Sequence, residues 1–330
     1  MSGNPLVSVI IPVRNGERFI RSTLESAFSQ TYQPIEIIVV DDGSTDRTAP
    51  IVEALAIYDK RCILFRRPHS GVSASRNFGV SQARGTLIAP LDADDLWHPQ
   101  KIARQVAVMQ SSSDKVGLVY CWTIEIDEDD ILIPRAKDTE ITEGHVLADV
   151  IARAGIITSG ANPLIRRSYL DAVGGYDSSA EPCEDWKLQL CLAEICEFAV
   201  VPAHLVGYRR TTGSASKNIT RMARSMENVS RWVLQRWPDT PPEIFDGMDY
   251  HRNSYLAHLA LTNNQFDTAV RYTLKSLKAR PLALFSRPTL TFGARLLVRM
   301  SGLRPYQRLR RANAITFNDF CTSLELPVTL

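Results

Sequence analysis

An open α/β sheet with helices on both faces is the fold predicted for the first two-thirds of this 330-residue chain. Three observations predict it. Continuous apolar, β-branched runs recur, segments with helical periodicity separate them, and the connections between them are short. Apolar runs without polar alternation are typical of strands buried on both faces, and strand-helix alternation is the pattern of parallel sheets.

The predicted elements follow one another in a regular order. Strands are predicted at 7–13 (VSVIIPV), 35–40 (IEIIVV), 62–65 and 87–91, and helices at 17–30, from 47 to about 58, and at 71–84. Further helices are predicted at 99–110, 144–153, 166–173 and 184–195, and further strands at 116–126 and 198–208. Short connections place elements adjacent in sequence side by side in space, which gives the order β-α-β-α-β-α-β.

The chain is predicted to divide near residue 217, into a catalytic domain at 1–217 and a helical region at 218–330. Residues 1–216 carry 21 basic and 28 acidic side chains, whereas 217–330 carry 17 and 8, so an acidic front precedes a basic tail. Residues 250–281 are similar to one tetratricopeptide-type hairpin. Arrays of such repeats need about three copies, so this hairpin is expected to pack on the first domain rather than on a partner.

Several features bear on location. The first residues (MSGNPLVSVIIPV) lead directly into a strand and do not resemble a signal peptide, and no run reaches the ~18–20 apolar residues of a membrane span. The six cysteines lack zinc-site spacing and are expected to be structural thiols in a reducing compartment. A cytoplasmic protein is predicted. Its arginine-rich segment 282–311 is either a peripheral contact with the inner face of the membrane or a solvated basic helix face. Nucleic acid is not an expected partner, because the basic residues lack interleaved aromatic platforms.

Polar and acidic residues follow three of the predicted strands. Pro12, Arg14 and Asn15 close the first strand, Asp41 and Asp42 close the second, and an Asp-Ala-Asp-Asp sequence at 92–95 follows the fourth. Ligands of open α/β sheets bind outside the carboxyl ends of the strands. Clustered carboxylates repel one another, and a divalent cation with phosphates would offset that repulsion. A metal site that stabilises a diphosphate leaving group is therefore predicted here.

Each acidic cluster also has a purely structural interpretation. The 92–95 sequence could be a solvated turn that caps the next helix. Asp41 and Asp42 could belong to a helix N-cap, although Ser44, Thr45 and Asp46 suffice for that purpose. Glu184 and Asp185 open a predicted helix, where the helix dipole favours acidic side chains.

Five stretches in order resemble the family 2 glycosyltransferases of the A-type (GT-A) fold: VSVIIPVRNGERFIRSTLESAFSQTY, EIIVVDDGSTDRT, SGVSASRNFGVSQARGTLIAPLDADD, CEDWKLQLCL and VGYRRTTGSAS. The resemblance covers about residues 6–216. It implies a Rossmann-like, mostly parallel GT-A sheet, a nucleotide-sugar donor (usually a UDP-sugar), an Asp-x-Asp site for Mg²⁺ or Mn²⁺, and inversion at the anomeric carbon. Saccharide or lipid-linked acceptors, and polysaccharide, lipopolysaccharide or glycolipid synthesis, are the corresponding expectations.

The resemblance also implies roles for residues on the donor side. Asp41 would bond the uracil or ribose with support from Asp42, and Arg76 would approach the base or diphosphate. The other residues expected beside the nucleotide are Pro12, Arg14 and Asn15.

The remaining implied roles concern catalysis. Asp92 and Asp94 would flank the donor's ribose and phosphates, and Asp95 would be the main metal ligand, together with Asp94. Glu184 and Asp185 match the family's catalytic Glu-Asp pair, in which Asp185 would be the general base.

Two departures and two alternatives remain open. Arg14 stands where the family often has an aromatic residue, which leaves base stacking in question, and Thr211 stands where a histidine is frequent. A nucleotidyltransferase would want a Gly-rich, basic loop after the first strand, and Pro-Val-Arg-Asn-Gly is a poor match for it. A catalytically inactive, nucleotide-sugar-binding scaffold is the second alternative, and the intact acidic clusters argue against it.

Overall fold

The computed structural model of the protein describes residues 3–133, 140–211, 218–285, 292–293, 296 and 315–323. The strands in this part of the chain are β1 (Val7–Val13), β2 (Ile35–Asp42), β3 (Cys62–Arg67), β4 (Leu87–Pro90), β5 (Leu96–Trp97), β6 (Val116–Ile126), β7 (Leu164–Arg166) and β8 (Glu197–Arg209). They form one sheet in the order β3-β2-β1-β4-β7-β6-β8-β5. All of them run parallel except β5 and β7.

Helices surround the sheet. They are α1 (Ile20–Phe28), α2 (Thr48–Tyr58), α3 (Val72–Gln82), α4 (Lys101–Ser111), α5 (Leu147–Ala152), α6 (Arg167–Ala172), α7 (Glu184–Ile195), α8 (Ile219–Arg236), α9 (Pro242–Thr262), α10 (Phe266–Ala279) and α11 (Phe317–Ser323). Short 3-10 turns span Ser178–Ala180 and Pro281–Phe285.

The core lies on both faces of the sheet. Every residue of β1 and β2 is buried, and their side chains alternate between two apolar clusters. Ile10 and Ile38 pack into one cluster with α7, whereas Ile11 and Ile37 pack into the other with α1. Burial of this kind contributes about 25 cal/mol per Å² of apolar surface removed from water. The predicted mostly parallel sheet with helices on both faces is confirmed.

The structure adds two short strands and moves some helix boundaries. The two- and three-residue strands β5 and β7 were not predicted, and both are antiparallel to their neighbours. Helix α1 begins at Ile20 rather than at 17, because the amide groups of Phe19 and Ile20 first close a turn on the Gly16 carbonyl. Strand β2 extends to Asp42, so Asp41 and Asp42 both belong to the end of the strand.

The C-terminal helices pack on the α/β sheet. Met222 and Val229 of α8 and Leu256 of α9 are buried in the same apolar cluster as Leu188 of α7. The predicted hairpin at 250–281 is occupied by α9 and α10, although α9 begins earlier, at Pro242. The domain boundary near 217 stays a prediction. Apart from residues 282–285, 292–293 and 296, the arginine-rich segment lies outside the described residues, and no helix within them is long and apolar enough to cross a membrane.

Helix α11 returns the chain to the far edge of the sheet. Phe317 is 1% exposed and packs with Leu96 of β5 and Ile126 of β6. Its amide donates a hydrogen bond to the Asp130 carbonyl (2.9 Å), and the Leu132 amide donates to the neighbouring Ile315 carbonyl (3.0 Å). The loop after β6 is therefore held between α11 and the sheet.

Candidate active site

The predicted site residues gather at the carboxyl edge of the sheet. Strands β1, β2 and β4 are parallel neighbours, so their carboxyl ends open on the same side. Two groups of polar side chains lie there. One consists of the loops after β1, β2 and β3, and the other is a carboxylate cluster built from the turn after β4, from α3 and from α7.

The loops after β1 and β2 are bonded to each other. Asn15 has a left-handed backbone (φ 52°), its amide donates to Ser44 Oγ (2.9 Å), and its Oδ1 accepts from the Thr45 amide (2.8 Å). Asp41 is 1% exposed, and its Oδ1 accepts from the Ser44 amide (2.9 Å). Pro12 is buried within β1. These contacts form one polar surface beside the strand ends.

Asp42 holds the loop that follows β3. One carboxylate oxygen accepts from the Ser70 amide (2.7 Å), and the other accepts from the Gly71 amide (3.0 Å) and His69 Nδ1 (2.7 Å). Arg14 Nη1 lies 3.0 Å from His69 Nε2, which assigns the proton of the neutral ring to Nδ1. Burial opposes ionisation of Asp42, but the hydrogen bonds from Ser70, His69 and Gly71 outweigh it and hold the pKa of Asp42 below its ordinary value.

Arg76 binds three carboxylates. Its Nη2 donates to Asp92 Oδ1 (2.6 Å), and its Nη1 donates to Glu184 Oε1 (2.9 Å) and Asp185 Oδ1 (3.1 Å). The guanidinium lies 5.0 Å from the centre of the Tyr176 ring, and only 3% of the Arg76 side chain is exposed. In this structure the charge of Arg76 is directed at protein carboxylates, and its expected approach to the base or diphosphate stays a prediction.

Glu184 and Asp185 differ in their access to solvent. The Asp185 side chain is 36% exposed, whereas that of Glu184 is 7% exposed. Burial raises the pKa of Asp185 to about 7; the charge of Arg76 opposes this shift, and the charges of Glu184 and Asp92 add to it. Of this pair, Asp185 has the carboxylate that a molecule in solution can reach.

Asp95 is fully buried and occupied by protein donors. Its Oδ1 accepts from the Arg209 amide (2.9 Å), and its Oδ2 accepts from Ser159 Oγ (2.9 Å). Burial, followed by the charges of Asp94 and Asp92, raises its pKa. Both carboxylate oxygens of Asp95 are thus bonded to the protein, and its expected role as the main metal ligand stays a prediction.

Asp94 differs from Asp92 and Asp95 in its contacts. It is half-buried, and its carboxylate makes no ion pair in the part of the chain that the structure describes. Burial, with the charge of Asp92, raises its pKa to about 6. The described residues contain no group of three or more His, Cys, Asp or Glu side chains that could hold a metal. A site that supplies one or two carboxylates and leaves the other positions to phosphates and water fits Mg²⁺ or Mn²⁺.

Three further residues complete the site, and two of them carry no sequence signal. Ser159 and Gly160 lie in the loop before β7; a Cβ added to Gly160 would lie 2.7 Å from Asp185 Oδ2 and 2.8 Å from Arg76 Nη2. Arg209 belongs to the VGYRR stretch and is fully buried, and its Nε donates to the Asp94 carbonyl (2.6 Å). Thr211 follows Arg210, and residues 212–216 of the longer VGYRRTTGSAS stretch lie outside the described residues.

Sequence comparison identifies the family. The sequence model described as Glycosyl transferase family 2 matches residues 8–174. An uncharacterized glycosyltransferase of Rickettsia typhi is 33% identical over 186 residues, which are 56% of this chain and 58% of the relative. An uncharacterized glycosyltransferase of Haemophilus influenzae is 41% identical over 106 residues, 32% of this chain and 42% of the relative. The chain thus spans less than two-thirds of the length of these relatives.

Structural comparison identifies the fold. S. aureus TarS 1–349 superposes with a TM-score of 0.61 at 17% identity, over 91% of this chain and 93% of that one. The mannosyltransferase PcManGT from Pyrobaculum calidifontis, solved with GDP-Man and Mn²⁺, superposes with a TM-score of 0.57 at 20% identity, over 91% of this chain and 87% of that one. The GT-A fold is confirmed, and the chain belongs to glycosyl transferase family 2.

Proposed function

We propose that this protein is a metal-dependent, inverting glycosyltransferase that moves a sugar from a nucleotide-diphosphate donor to an acceptor hydroxyl. One observation carries the proposal. A solvent-accessible carboxylate, Asp185, lies in the same buried charge cluster as Asp92, beside Asp94, at the edge where the polar loops after β1 and β2 also open. Inverting transfer needs a base on the acceptor side and charge stabilisation on the leaving side.

The donor side is proposed to be the joined loops after β1 and β2. Asp41 keeps one oxygen on the Ser44 amide, and its other oxygen lies 3.7 Å from the exposed Arg66 side chain, so Asp41 could exchange that partner for a ribose or base. Asp42 supports this surface by holding the loop after β3. Solved neighbours carry UDP-GlcNAc or GDP-Man, and UDP-sugars are therefore the first donors to test and GDP-Man the second.

The metal is proposed to bind through Asp94, with Asp92 beside the donor's ribose and phosphates. When bound, Mg²⁺ or Mn²⁺ would neutralise the diphosphate and stabilise it as a leaving group. Asp95 is bonded to Ser159 and Arg209, and these contacts anchor the turn that carries Asp94.

Asp185 is proposed to accept the proton of the attacking hydroxyl. A single base suffices, because the leaving side needs no proton when its charge is neutralised. Glu184 is proposed to act through its contact with Arg76, from which its Oε1 accepts a hydrogen bond (2.9 Å). Saccharide or lipid-linked acceptors, a cytoplasmic location and peripheral membrane contact through residues 282–311 complete the proposal.

The test is nucleotide release by the full chain from UDP-GlcNAc, UDP-glucose and GDP-mannose, with Mn²⁺ or with chelator. Wild type should release nucleotide only with metal. Asp185→Asn should lower the rate by about 10²–10⁴-fold while donor binding survives. Asp171→Asn, which alters an exposed carboxylate paired with Arg167 away from the site, is the matched control and should behave as wild type.

Two results would overturn the proposal. Metal-dependent UDP binding without turnover of any donor would favour an inactive binding scaffold. Release of pyrophosphate from a nucleoside triphosphate and a sugar phosphate would instead identify a nucleotidyltransferase.

A further inference from the structure

Arg76 joins three separate parts of the chain at the proposed active site. Its partners are Asp92 in the turn after β4, and Glu184 and Asp185 in the first turn of α7. Resting on the proposed function, we infer that Arg76 is a positioning residue, which holds the base Asp185 and the donor-side Asp92 at their working separation without touching donor or acceptor.

Burial indicates that this cluster is not there for stability alone. One guanidinium faces three carboxylates, so the cluster has an excess of negative charge, and among the described residues Arg76 Nε and Glu184 Oε2 have no hydrogen-bond partner. Replacing buried ion networks by apolar side chains is often neutral or stabilising, so such a network is weak evidence for stability. The planar guanidinium of Arg76 can bind several carboxylates at once in a fixed geometry, which is the property that a positioning residue needs.

Arg76 is itself held in place by a contact that involves no substrate. Asn77 Nδ2 donates to the Tyr176 carbonyl (2.8 Å), and Asn77 Oδ1 accepts from the Tyr176 amide (2.8 Å). Gly175 permits this approach, because it has a φ of 75° and a Cβ there would lie 2.5 Å from Asn77 Oδ1. The Tyr176 ring then lies against the guanidinium. The chain therefore fixes the arginine before any ligand arrives.

The two carboxylate oxygens of Asp185 lie in different surroundings. Oδ1 accepts from Arg76 Nη1 at 3.1 Å, and Oδ2 lies on the side of Gly160. In the proposed transfer Oδ2 takes the proton of the acceptor hydroxyl as the new glycosidic bond forms and the bond from the anomeric carbon to the phosphate oxygen breaks. Arg76 keeps its protons throughout, and the nucleoside diphosphate leaves with the electron pair of the broken bond.

The charges that face Asp185 predict opposite effects for two substitutions. They come from Arg76 of α3, Asp92 of the turn after β4 and Glu184 of α7 itself, and the Tyr176 hydroxyl is neutral. Removing Arg76 removes the cation that favours the ionised form of Asp185. As pH falls, the variant should therefore lose activity at a higher pH than wild type does. Removing the charge of Glu184 removes a neighbouring anion, so the same limb of the profile should move to lower pH.

The experiment compares kcat-pH profiles and UDP-Mn²⁺ affinity for wild type, R76K, R76M and E184Q. For R76M we expect kcat to fall by at least about 30-fold, since a misplacement near 1 Å can cost about 10²-fold. We also expect the acidic limb of its kcat-pH profile to move to higher pH. R76K should recover part of kcat because it restores the charge but not the fork. UDP-Mn²⁺ affinity should change by less than about 5-fold if the role is positioning. R61M, which breaks a remote ion pair with Asp59, is the control.

Each outcome decides between this inference and the proposed function. A folded R76M variant with wild-type kcat and a wild-type pH profile would overturn the inference about Arg76. If D185N is inactive in the same assay, the proposed role of Asp185 as the base still stands. An active D185N would overturn the base itself. If R76M does not fold, E184Q decides, because an acidic limb that stays in place shows that the cluster does not control Asp185.

Discussion

Gly160→Ala is the smallest change that should disturb the whole site. The added Cβ would lie 2.7 Å from Asp185 Oδ2, 2.8 Å from Arg76 Nη2 and 3.1 Å from Asp92 Oδ2, whereas ordinary contacts begin at about 3.4 Å. The base would have to retreat by about 0.7 Å, the difference between 3.4 and 2.7 Å. The backbone of Gly160 is not left-handed, so the effect comes from lost space and not from backbone strain.

The expected loss follows from that displacement. Because a shift near 1 Å can cost about 10²-fold in rate, kcat should fall by about 10- to 100-fold. Overpacking should lower the unfolding free energy by about 1–3 kcal/mol. Nucleotide-release kinetics and thermal unfolding measure the two effects separately. Gly3→Ala is the control, because a Cβ there meets no described residue within 4 Å. Wild-type kcat in Gly160→Ala would refute the placement of Asp185 beside this loop.

Three further changes test other parts of the structure. Asp94→Asn should weaken UDP binding in the presence of Mn²⁺ by at least about 10-fold while leaving metal-free binding unchanged, measured by calorimetry. Burial lowers the pKa of Lys101 to about 7, below the 10.5 of an exposed lysine. The unfolded chain therefore binds the extra proton, so between pH 7 and 8, below the range in which the thiols titrate, Lys101 should make the unfolding free energy rise by up to about 1.4 kcal/mol per pH unit; urea denaturation should show that this contribution is absent in Lys101→Met. Phe317→Ala should cost about 3–5 kcal/mol in a thermal melt, because the ring is 1% exposed and packs on Leu96; an unchanged melt would mean that α11 does not dock.

The fold was predictable where burial leaves a pattern in the sequence. Strands β1 and β6 have the predicted bounds, because strands buried on both faces read as uninterrupted apolar runs. Strands β5 and β7 escaped prediction since two or three residues carry no periodicity, and their partners lie far away in the sequence: Leu96 pairs with Gly207, and Leu87 pairs with Arg166.

The site was predictable in its residue types but not in its contacts. Strand ends located Asp42 and the carboxylates at 92–95, because parallel strands direct their carboxyl ends to one edge. The partners of these side chains depend on tertiary packing. Arg76 meets carboxylates 16, 108 and 109 positions away, and Asp95 is held by a serine 64 positions away. None of these pairings could be read from the sequence, because no local pattern links residues so far apart in the chain.

Crystals of the full chain soaked with UDP and Mn²⁺ would test the central claim most directly, through the anomalous signal of manganese. One peak is expected within about 2.5 Å of an Asp94 carboxylate oxygen, in contact with the diphosphate, with Asp95 still bonded to Ser159 and Arg209. Bound UDP with the manganese peak on Asp95, or with no peak at this edge of the sheet, would contradict the account.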